Sequence, residues 1–359
     1  MVETRSQKRL LLTGKTVNVL YHRGRYYTLG AAGGAERLLC SAPFRGFRAV
    51  CARLPLMARI SRSEPRTAIW IDEGQFLTAQ KEGIWRVDSR TGTVCLEHRF
   101  ESGMAVPLSF CALRGLTGFP DGVLYGTYHG RTAKADAAIW LRTGPSEWRI
   151  AYTFPKGRVL HIHRLIPDYE NDRLLALTGD SDYESGIWEF RGGFTAPHLL
   201  LGGSQQYRAC VAFPKEGHIV FATDTPLEQN YLYDYNEATG QVQVLCPLPG
   251  PVIYSGSFMS KEERVYCFST SVEPDDRKHG WSYLLTRRCG PGVLTRESYV
   301  FAGNRRQGFR EVCAFRKDRW PMGLCGFGNA AFPVGETEHF LICPQNVQTY
   351  DRKTLEVTF

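Results

Sequence analysis

Short hydrophobic runs separated by polar turns dominate the pattern along this chain. The runs are rich in Val, Ile, Tyr, Phe and Trp, and Gly, Asp, Asn and Pro lie between them. The i, i+3, i+4, i+7 spacing of an amphipathic helix does not extend beyond a single turn. The pattern therefore predicts an all-β protein with many short strands. Examples are VNVLYH, RYYTLG, TAIWID, GQFLTAQ, GHIVFATD and HFLICP.

A small residue followed by Ile-Trp marks a repeat of about 50 residues. This signature lies at residues 68–70, 83–85, 138–140 and 186–188, and Tyr-Leu-Tyr takes the equivalent place at residues 231–233. Trp85 and Trp140 are 55 residues apart, and Trp140 and Trp188 are 48 residues apart. Periods of this length with about four strands each are typical of propeller blades.

Each unit is expected to hold an inner strand, a second strand, a third strand that carries the signature, and an outer strand. Inner strands are expected to begin near residues 17, 57, 108, 159, 208, 252 and 311. The sequence thus predicts one β-propeller domain over residues 1–359, with seven blades of four antiparallel strands. Six blades are the alternative, because the two ends of the chain are the hardest to divide.

Several phrases of the chain resemble the sialidase-like propellers of the BNR or Asp-box superfamily. The turn RTGPSEW at 142–148 keeps the turn and the Trp of an Asp box, and CSAPFRGF at 40–47 keeps the Ser and an aromatic residue. The phrases QYRACVAF, FATDTPLEQNYLYDY, STSVEP and FRKDRWP are similar in order and spacing to an uncharacterised group associated with bacterial polysaccharide gene clusters. The resemblance covers roughly residues 110–335 and implies a carbohydrate-active propeller of glycoside hydrolase type.

The formal net charge of +8 is spread along the chain, with Lys and Arg occurring singly or in pairs. A nucleic acid requires a basic stripe, which the sequence lacks, so no nucleic-acid partner is expected. A mild positive field suits an acidic oligo- or polysaccharide, or it reflects only a soluble surface. No membrane span and no signal-peptide core are found, so a cytoplasmic location is expected.

The 11 cysteines form no C-x-x-C pair and no regular spacing. Most lie in apolar strand contexts, which predicts buried, reduced thiols instead of disulfides or a zinc site.

His161 and His163 lie at positions i and i+2 of an expected inner strand, about 6.6–7 Å apart on one face. This spacing suits a general base with a partner, two ligands to one divalent metal, or a hydrogen-bonded structural pair. A metal would need a third ligand from another blade, and no cofactor is otherwise expected. His129, in the preceding unit, is expected as their neighbour.

The remaining candidates lie at expected strand ends, where the loops of a propeller form a funnel. Arg208 suits a carboxylate because its planar guanidinium binds both oxygens, or it pairs with an acid between blades. Asp180 is predicted to line the funnel. Calcium binding by an EF-hand motif is not expected here, because the ligand spacing of that motif is missing. The substrate-binding candidates are Tyr128, His129, Asp180, Arg208, Asp224, Glu228, Asn230 and Lys317. The catalytic candidates are His161, His163, Tyr254, Glu273 and Asp318.

Three functions fit these residues. A glycoside hydrolase would use Glu273 and Asp318 as paired carboxyl groups, roughly 5 to 9.5 Å apart, together with Glu228 and Tyr254. A polysaccharide lyase acting on uronic acid units would use Arg208 on the sugar carboxylate, His161 or His163 as the base, and Tyr128 or Tyr254 as the proton donor. A glycan-binding or assembly protein of polysaccharide biosynthesis would hold its ligand without turnover. Hydrolysis is the leading prediction.

Overall fold

The computed structural model describes residues 1–129 and 136–359, which form a seven-bladed β-propeller. Each blade is a sheet of four antiparallel strands. In six of the seven blades the strands follow one another from the inner to the outer edge in chain order. The predicted all-β class and the count of seven blades are confirmed.

The first strand, β1 (Val2–Ser6), belongs to the last blade, and the strands after it build blades 1 to 3 in turn. Blade 1 holds β2 (Arg9–Leu12), β3 (Val17–His22), β4 (Arg25–Gly30) and β5 (Arg37–Ser41). Blade 2 holds β6 (Thr67–Trp70), β7 (Gln75–Gln80), β8 (Gly83–Asp88) and β9 (Val94–Arg99). A two-stranded sheet joins β10 (Met104–Ala105) to β13 (Tyr128–His129). Blade 3 holds β11 (Cys111–Leu113), β12 (Gly122–Gly126), β14 (Ala138–Gly144) and β15 (Glu147–Thr153).

Blades 4 to 7 complete the ring. Blade 4 holds β16 (Ile162–Asp168), β17 (Arg173–Thr178), β18 (Gly186–Arg191) and β19 (His198–Gly202). Blade 5 holds β20 (Ala209–Lys215), β21 (His218–Thr223), β22 (Asn230–Asn236) and β23 (Gln241–Leu248). Blade 6 holds β24 (Val252–Ser260), β25 (Glu263–Thr270), β26 (Glu297–Asn304) and β27 (Gly308–Arg316). Blade 7 holds β28 (Asn329–Ala331), β29 (Leu341–Gln345), β30 (Thr354–Val357) and, at its outer edge, β1.

The ring is closed by the two ends of the chain. β1 pairs with β30, with Val2 opposite Val357 and Thr4 opposite Leu355. Strands from both ends therefore share one blade, and the edge that β30 would otherwise expose is covered.

The Ile-Trp signature coincides with a recurrent β-bulge. Between the third and the outer strand the register shifts at Ile84/Trp85, Ile139/Trp140 and Ile187/Trp188, and likewise at Leu232/Tyr233. The aliphatic residue of each pair is fully buried, at 0% exposure. Since a bulge increases the local twist of a strand pair, the repeated signature marks the position where each blade twists.

The inner strands of blades 1, 4, 5 and 6 carry a second bulge. In each of these blades one residue of the inner strand has no partner on the second strand. It is Leu11 in blade 1, His163 in blade 4, Cys210 in blade 5 and Ile253 in blade 6. A bulge changes the direction in which a side chain points, and bulges often lie beside functional sites. Two of these four positions therefore place a polar or nucleophilic side chain at a bulge.

The hydrophobic core lies between neighbouring blades. Between blades 3 and 4 it includes Leu124, Ile139 and Leu174, each at 0% exposure. Similar clusters lie between blades 1 and 2, 2 and 3, 4 and 5, 5 and 6, and 6 and 7. The inward-facing residues of the strands thus stack one blade on the next.

The expected division of the chain is wrong at three places. Residue 17 lies in the second strand of blade 1, residue 57 lies in a helix, and residue 311 lies in the outer strand of blade 6. The inner strands concerned begin at residues 9, 67 and 329, so the signature at residues 68–70 lies on an inner strand. The short helices are α1 (Phe47–Arg53), α2 (Pro55–Ile60), α3 (Gly280–Leu284) and α4 (Met322–Cys325), together with a 3-10 turn at Gln205–Tyr207.

Over the described residues, the helices are too short to cross a membrane. The predicted unpaired state of the cysteines is also seen, because all 11 are free.

Candidate functional site

A cavity of about 470 Å3 lies among the inner strands of blades 1, 6 and 7 and the segment between α2 and β6. Its lining is strongly basic. The lining includes Arg9, Arg62, Glu64, Arg66, Tyr254 and Arg352. We call this space the arginine cavity.

Three guanidinium groups of the arginine cavity donate hydrogen bonds to backbone carbonyls. Arg9 donates to Pro65 O over 2.9 Å, Arg62 to Gly323 O over 2.7 Å, and Arg66 to Val106 O over 3.1 Å. Among the described residues, none of the three lies within salt-bridge distance of a carboxylate. Burial lowers the pKa of Arg62, and the neighbouring charge of Arg66 adds to that effect. Their positive charge is therefore left without a protein counter-ion.

Arg164 adds a further cation from the opposite side of the ring. It lies on β16 of blade 4 and donates a hydrogen bond to Ser255 Oγ on β24 of blade 6. Burial lowers its pKa, whereas Tyr254 and two cysteines raise it. Tyr254 likewise raises the pKa of Arg62. Tyr254 thus lies within electrostatic reach of two arginines that come from different blades.

His161 is held by backbone carbonyls on both ring nitrogens. Nδ1 lies 3.1 Å from Gly179 O, and Nε2 makes a short hydrogen bond to His129 O. Asp180 Oδ2 lies a further 3.2 Å from Nδ1. Both ring nitrogens therefore face backbone carbonyl oxygens of the protein.

His163 lies beside it with a similar environment. Nδ1 is 3.0 Å from Ala209 O and Nε2 is 3.2 Å from Asp180 Oδ1. The two imidazole rings are stacked with their centroids 6.4 Å apart, close to the predicted spacing along the strand. Both histidines are thus hydrogen-bonded in this structure, and which of the three expected roles they take stays a prediction.

Asp180 connects the histidines to Arg208. Arg208 Nη2 lies 3.3 Å from Asp180 Oδ1, and Arg208 Nη1 lies 3.2 Å from Asp276 Oδ2. Burial alone would raise the pKa of Asp180, but Arg208 and the two histidines outweigh it and hold the pKa well below its usual range. Arg208 is thus engaged by acids, as in the predicted alternative of a pair between blades.

Asp224 and Glu273 form a second acidic group behind Arg208. Asp224 Oδ2 accepts a hydrogen bond from Cys210 Sγ over 3.1 Å. Burial raises the pKa of Asp224, with Arg208 opposing. Burial, helped by the charge of Asp224, also raises the pKa of Glu273 to about 8. His163, Cys210 and Asp224 each offer one possible metal-ligand atom, and these atoms lie within 4.8 Å of one another.

Tyr128 links this polar group to the arginine cavity. Its ring centroid is 4.5 Å from that of His161, and the guanidinium of Arg66 lies over the same ring at 5.6 Å. The hydroxyl is buried, and burial raises its pKa. The two regions are therefore neighbouring parts of one site.

Lys317 and Asp318 lie in a separate ionic cluster. Lys317 Nζ and Arg59 both donate to the Asp318 carboxylate, and Arg59 also reaches Asp351. The charged neighbours of Glu273 are Asp224, Arg208 and Asp276 instead. The predicted association of Glu273 with Asp318 as a pair of acids is thus not favoured by these contacts.

The other candidates are His129, Asn230 and Glu228, which differ in burial and contacts. His129 is 1% exposed, and burial lowers its pKa. The Asn230 side chain donates to Thr225 O over 2.7 Å and so stabilises the turn after β21. Glu228, in the same turn, is exposed.

Comparisons with known proteins give the fold. No family model matches the chain, and no curated protein matches it. A chain of the mitotic checkpoint complex is similar with a TM-score of 0.54 at 9% identity, over 99% of this chain and 92% of that chain. The WD40 β-propeller domain of Doa1 has a TM-score of 0.52 at 9% identity, over 100% and 95%. An oligogalacturonate lyase in complex with manganese has a TM-score of 0.54 at 12% identity, over 100% and 90%.

The chain has a propeller fold. At these identities the likeness shows the fold alone, so membership of the sialidase-like group stays a prediction.

Sequence reasoning missed Arg9, Arg62, Arg66, Arg164 and Cys210. An alignment of the blades would have found Cys210, because the inner-strand bulge makes His163 and Cys210 equivalent. The arginines gave no such signal, since they come from three parts of the chain that only the closed ring brings together: β2, the segment between α2 and β6, and β16.

Proposed function

We propose that this protein binds an acidic oligosaccharide in the arginine cavity and cleaves it by β-elimination. The observation that carries this proposal is the lining of the arginine cavity, where Tyr254 lies together with Arg62 and Arg66. Neither arginine has a carboxylate partner among the described residues. The arrangement supports a ligand that brings its own negative charge.

A uronic acid carboxylate suits these cations. A guanidinium binds both oxygens of a carboxylate in one plane, and the interaction is stronger in a cavity that excludes water. Arg62 and Arg66 come from one segment, so they are well placed to hold a single carboxylate. The sugar would then lie against Tyr254.

Elimination fits the lining of the cavity better than hydrolysis, which was the leading prediction from the sequence. A glycoside hydrolase needs two carboxyl groups flanking the scissile bond. Glu64 is the carboxylate among the described lining residues, and it is paired with Arg352. The fold of the oligogalacturonate lyase with which this chain was compared supports a lyase on such a scaffold. That support concerns the fold alone.

The reaction would proceed by proton transfer at one face of the sugar. Tyr254, reacting as its phenolate, takes the proton from C5 of the uronate. The electron pair forms the C4–C5 double bond, the C4–O bond breaks, and the leaving oxygen receives the proton back from Tyr254. The arginines stabilise the charge that develops on the carboxylate during this step.

The test measures binding and cleavage of galacturonate, mannuronate and guluronate oligomers, with neutral gluco-oligosaccharides for comparison. We expect an unsaturated product that absorbs in the near ultraviolet. Tyr254→Phe should lower the rate by about 10²- to 10⁴-fold while binding persists. Arg62→Gln should weaken binding by about 10- to 100-fold.

Arg149→Gln, on the exposed outer strand β15, is the matched control and should change neither value. New reducing ends without absorbance would establish hydrolysis and contradict the elimination. Equal binding of acidic and neutral oligomers would contradict the role of the arginines, and acidic binding without cleavage would contradict the reaction.

A further inference from the structure

A second feature of the site lies beneath the arginine cavity, where His163, Cys210 and Asp224 meet. One donor atom from each lies within 4.8 Å of the others. The three residues are buried, at 2%, 2% and 5% exposure. They come from two neighbouring blades, and His163 and Cys210 both lie at the inner-strand bulge.

The equivalent bulge positions in blades 1 and 6 hold Leu11 and Ile253. Apolar side chains at these positions show that the bulge itself does not require a polar residue. The histidine and the cysteine are therefore features of blades 4 and 5 in particular.

Two buried carboxylate oxygens beside this cluster lack hydrogen-bond partners within the described part of the chain. They are Asp224 Oδ1 and Glu273 Oε1. The two carboxyl groups lie close enough for Asp224 to raise the pKa of Glu273. A buried polar atom without a partner is costly and is often satisfied by an ion.

We propose that His163, Cys210 and Asp224 bind a divalent transition metal of the zinc type. Imidazole, thiolate and carboxylate together are the ligands of Zn2+, whereas Ca2+ and Mg2+ prefer oxygen alone. Three protein ligands leave a fourth position open. Glu273, an acid within electrostatic reach of Asp224, is available to bind the metal or a water on it.

The surroundings of His163 fit such a ligand. Nδ1 lies next to Ala209 O, on the strand that carries Cys210, and leaves this carbonyl to reach the metal. Nε2 keeps its proton and its hydrogen bond to Asp180. A carboxylate that holds the second nitrogen of a ligating histidine fixes the ring and raises its basicity. His161 does not belong to this group of three donor atoms.

Metal binding requires Cys210 to lose its proton. Without metal the buried thiol is protonated and donates to Asp224. On binding, the sulfur–metal bond forms and the proton passes to solvent, so affinity falls at low pH. The thiolate and the Asp224 carboxylate together neutralise the two charges of the ion, while Arg208 stays paired with Asp180 and Asp276.

The test uses the full chain after dialysis against a chelator. Titration with Co2+ should bind about one equivalent and give a thiolate-to-cobalt charge-transfer band, which Zn2+ then displaces. Cys210→Ser should abolish the band, and Asp224→Asn should weaken binding by roughly 100-fold or more. Cys267→Ser, a buried thiol on β25, is the matched control and should keep the band.

Circular dichroism of each variant checks that it folds. Should Cys210→Ser unfold, X-ray absorption of the Zn2+-loaded natural chain decides the question without a variant. One sulfur with nitrogen and oxygen ligands supports the site, and no sulfur or several sulfurs overturns it. Absence of the cobalt band in the natural chain, or its persistence in Cys210→Ser, also overturns the proposal.

Discussion

At the scale of single residues, Asp180 carries the largest share of the polar contacts in the site. Its carboxylate faces His161, His163 and Arg208 at 3.2 to 3.3 Å. The sequence allowed Asp180 to be chosen over Asp182, because Asp180 directly follows the second strand of a blade. The sequence did not predict that a single carboxylate would face both histidines, because that depends on a bulge that shifts His163 out of the strand period.

Asp180→Asn should destabilise the protein by about 3–5 kcal/mol, because the buried Arg208 loses one of its two carboxylate partners. Chemical denaturation followed by tryptophan fluorescence measures the change. Asp182→Asn, an exposed neighbour two residues away, should stay within about 0.5 kcal/mol. Equal effects of the two variants would contradict the role given to Asp180.

At the scale of elements, the third strand of each blade was the most predictable part of the fold. Its signature marks a bulge between Ile and Trp, so a local sequence feature corresponds to a local structural one. The inner strands were harder to find, because β2 and β28 are only 4 and 3 residues long. A strand that short has too few positions for its alternation to be recognised.

Arg173 joins blade 4 to blade 5. The guanidinium is 1% exposed and contacts Asp168 at 2.8 Å, Glu189 at 3.1 Å and Glu237 at 2.6 Å. Arg173→Met removes the cation that these three carboxylates share, so the free energy of unfolding should fall by about 3–5 kcal/mol. Thermal and urea unfolding measure this loss.

Arg191 offers the comparison for Arg173. It contacts the same Glu189 at 3.1 Å, but its side chain is 52% exposed. Arg191→Met should therefore change the stability by no more than about 1 kcal/mol. A loss as large as that of Arg173→Met would show that burial does not decide the effect.

At the scale of the whole molecule, the number of blades could be predicted but the way the ring closes could not. The repeat length implies about seven units, whereas the sharing of blade 7 between both ends depends on contacts between residues 350 or so positions apart. The arginine cavity belongs to the same scale. Its residues come from blades 1, 6 and 7 and from the segment before blade 2, so only the closed ring brings their charges together.

Removing residues 1–7 should lower the midpoint of thermal unfolding and promote self-association. The deletion exposes the edge of β30, whose unpaired backbone groups can pair with another chain. Differential scanning calorimetry and size-exclusion chromatography at several concentrations measure the two effects. An unchanged midpoint and a concentration-independent elution volume would show that β1 does not close the ring.

The pairing of β1 with β30 also determines when the ring can close during synthesis. β1 is synthesised long before its partner β30, because Val2 pairs with Val357. At the usual 5–20 residues per second, β1 waits roughly 20–70 s for its partner. During that interval blades 1 to 6 can stack, but the last blade stays incomplete. The synthesis of β30 therefore decides whether the nascent chain becomes a ring or an open arc with a free edge.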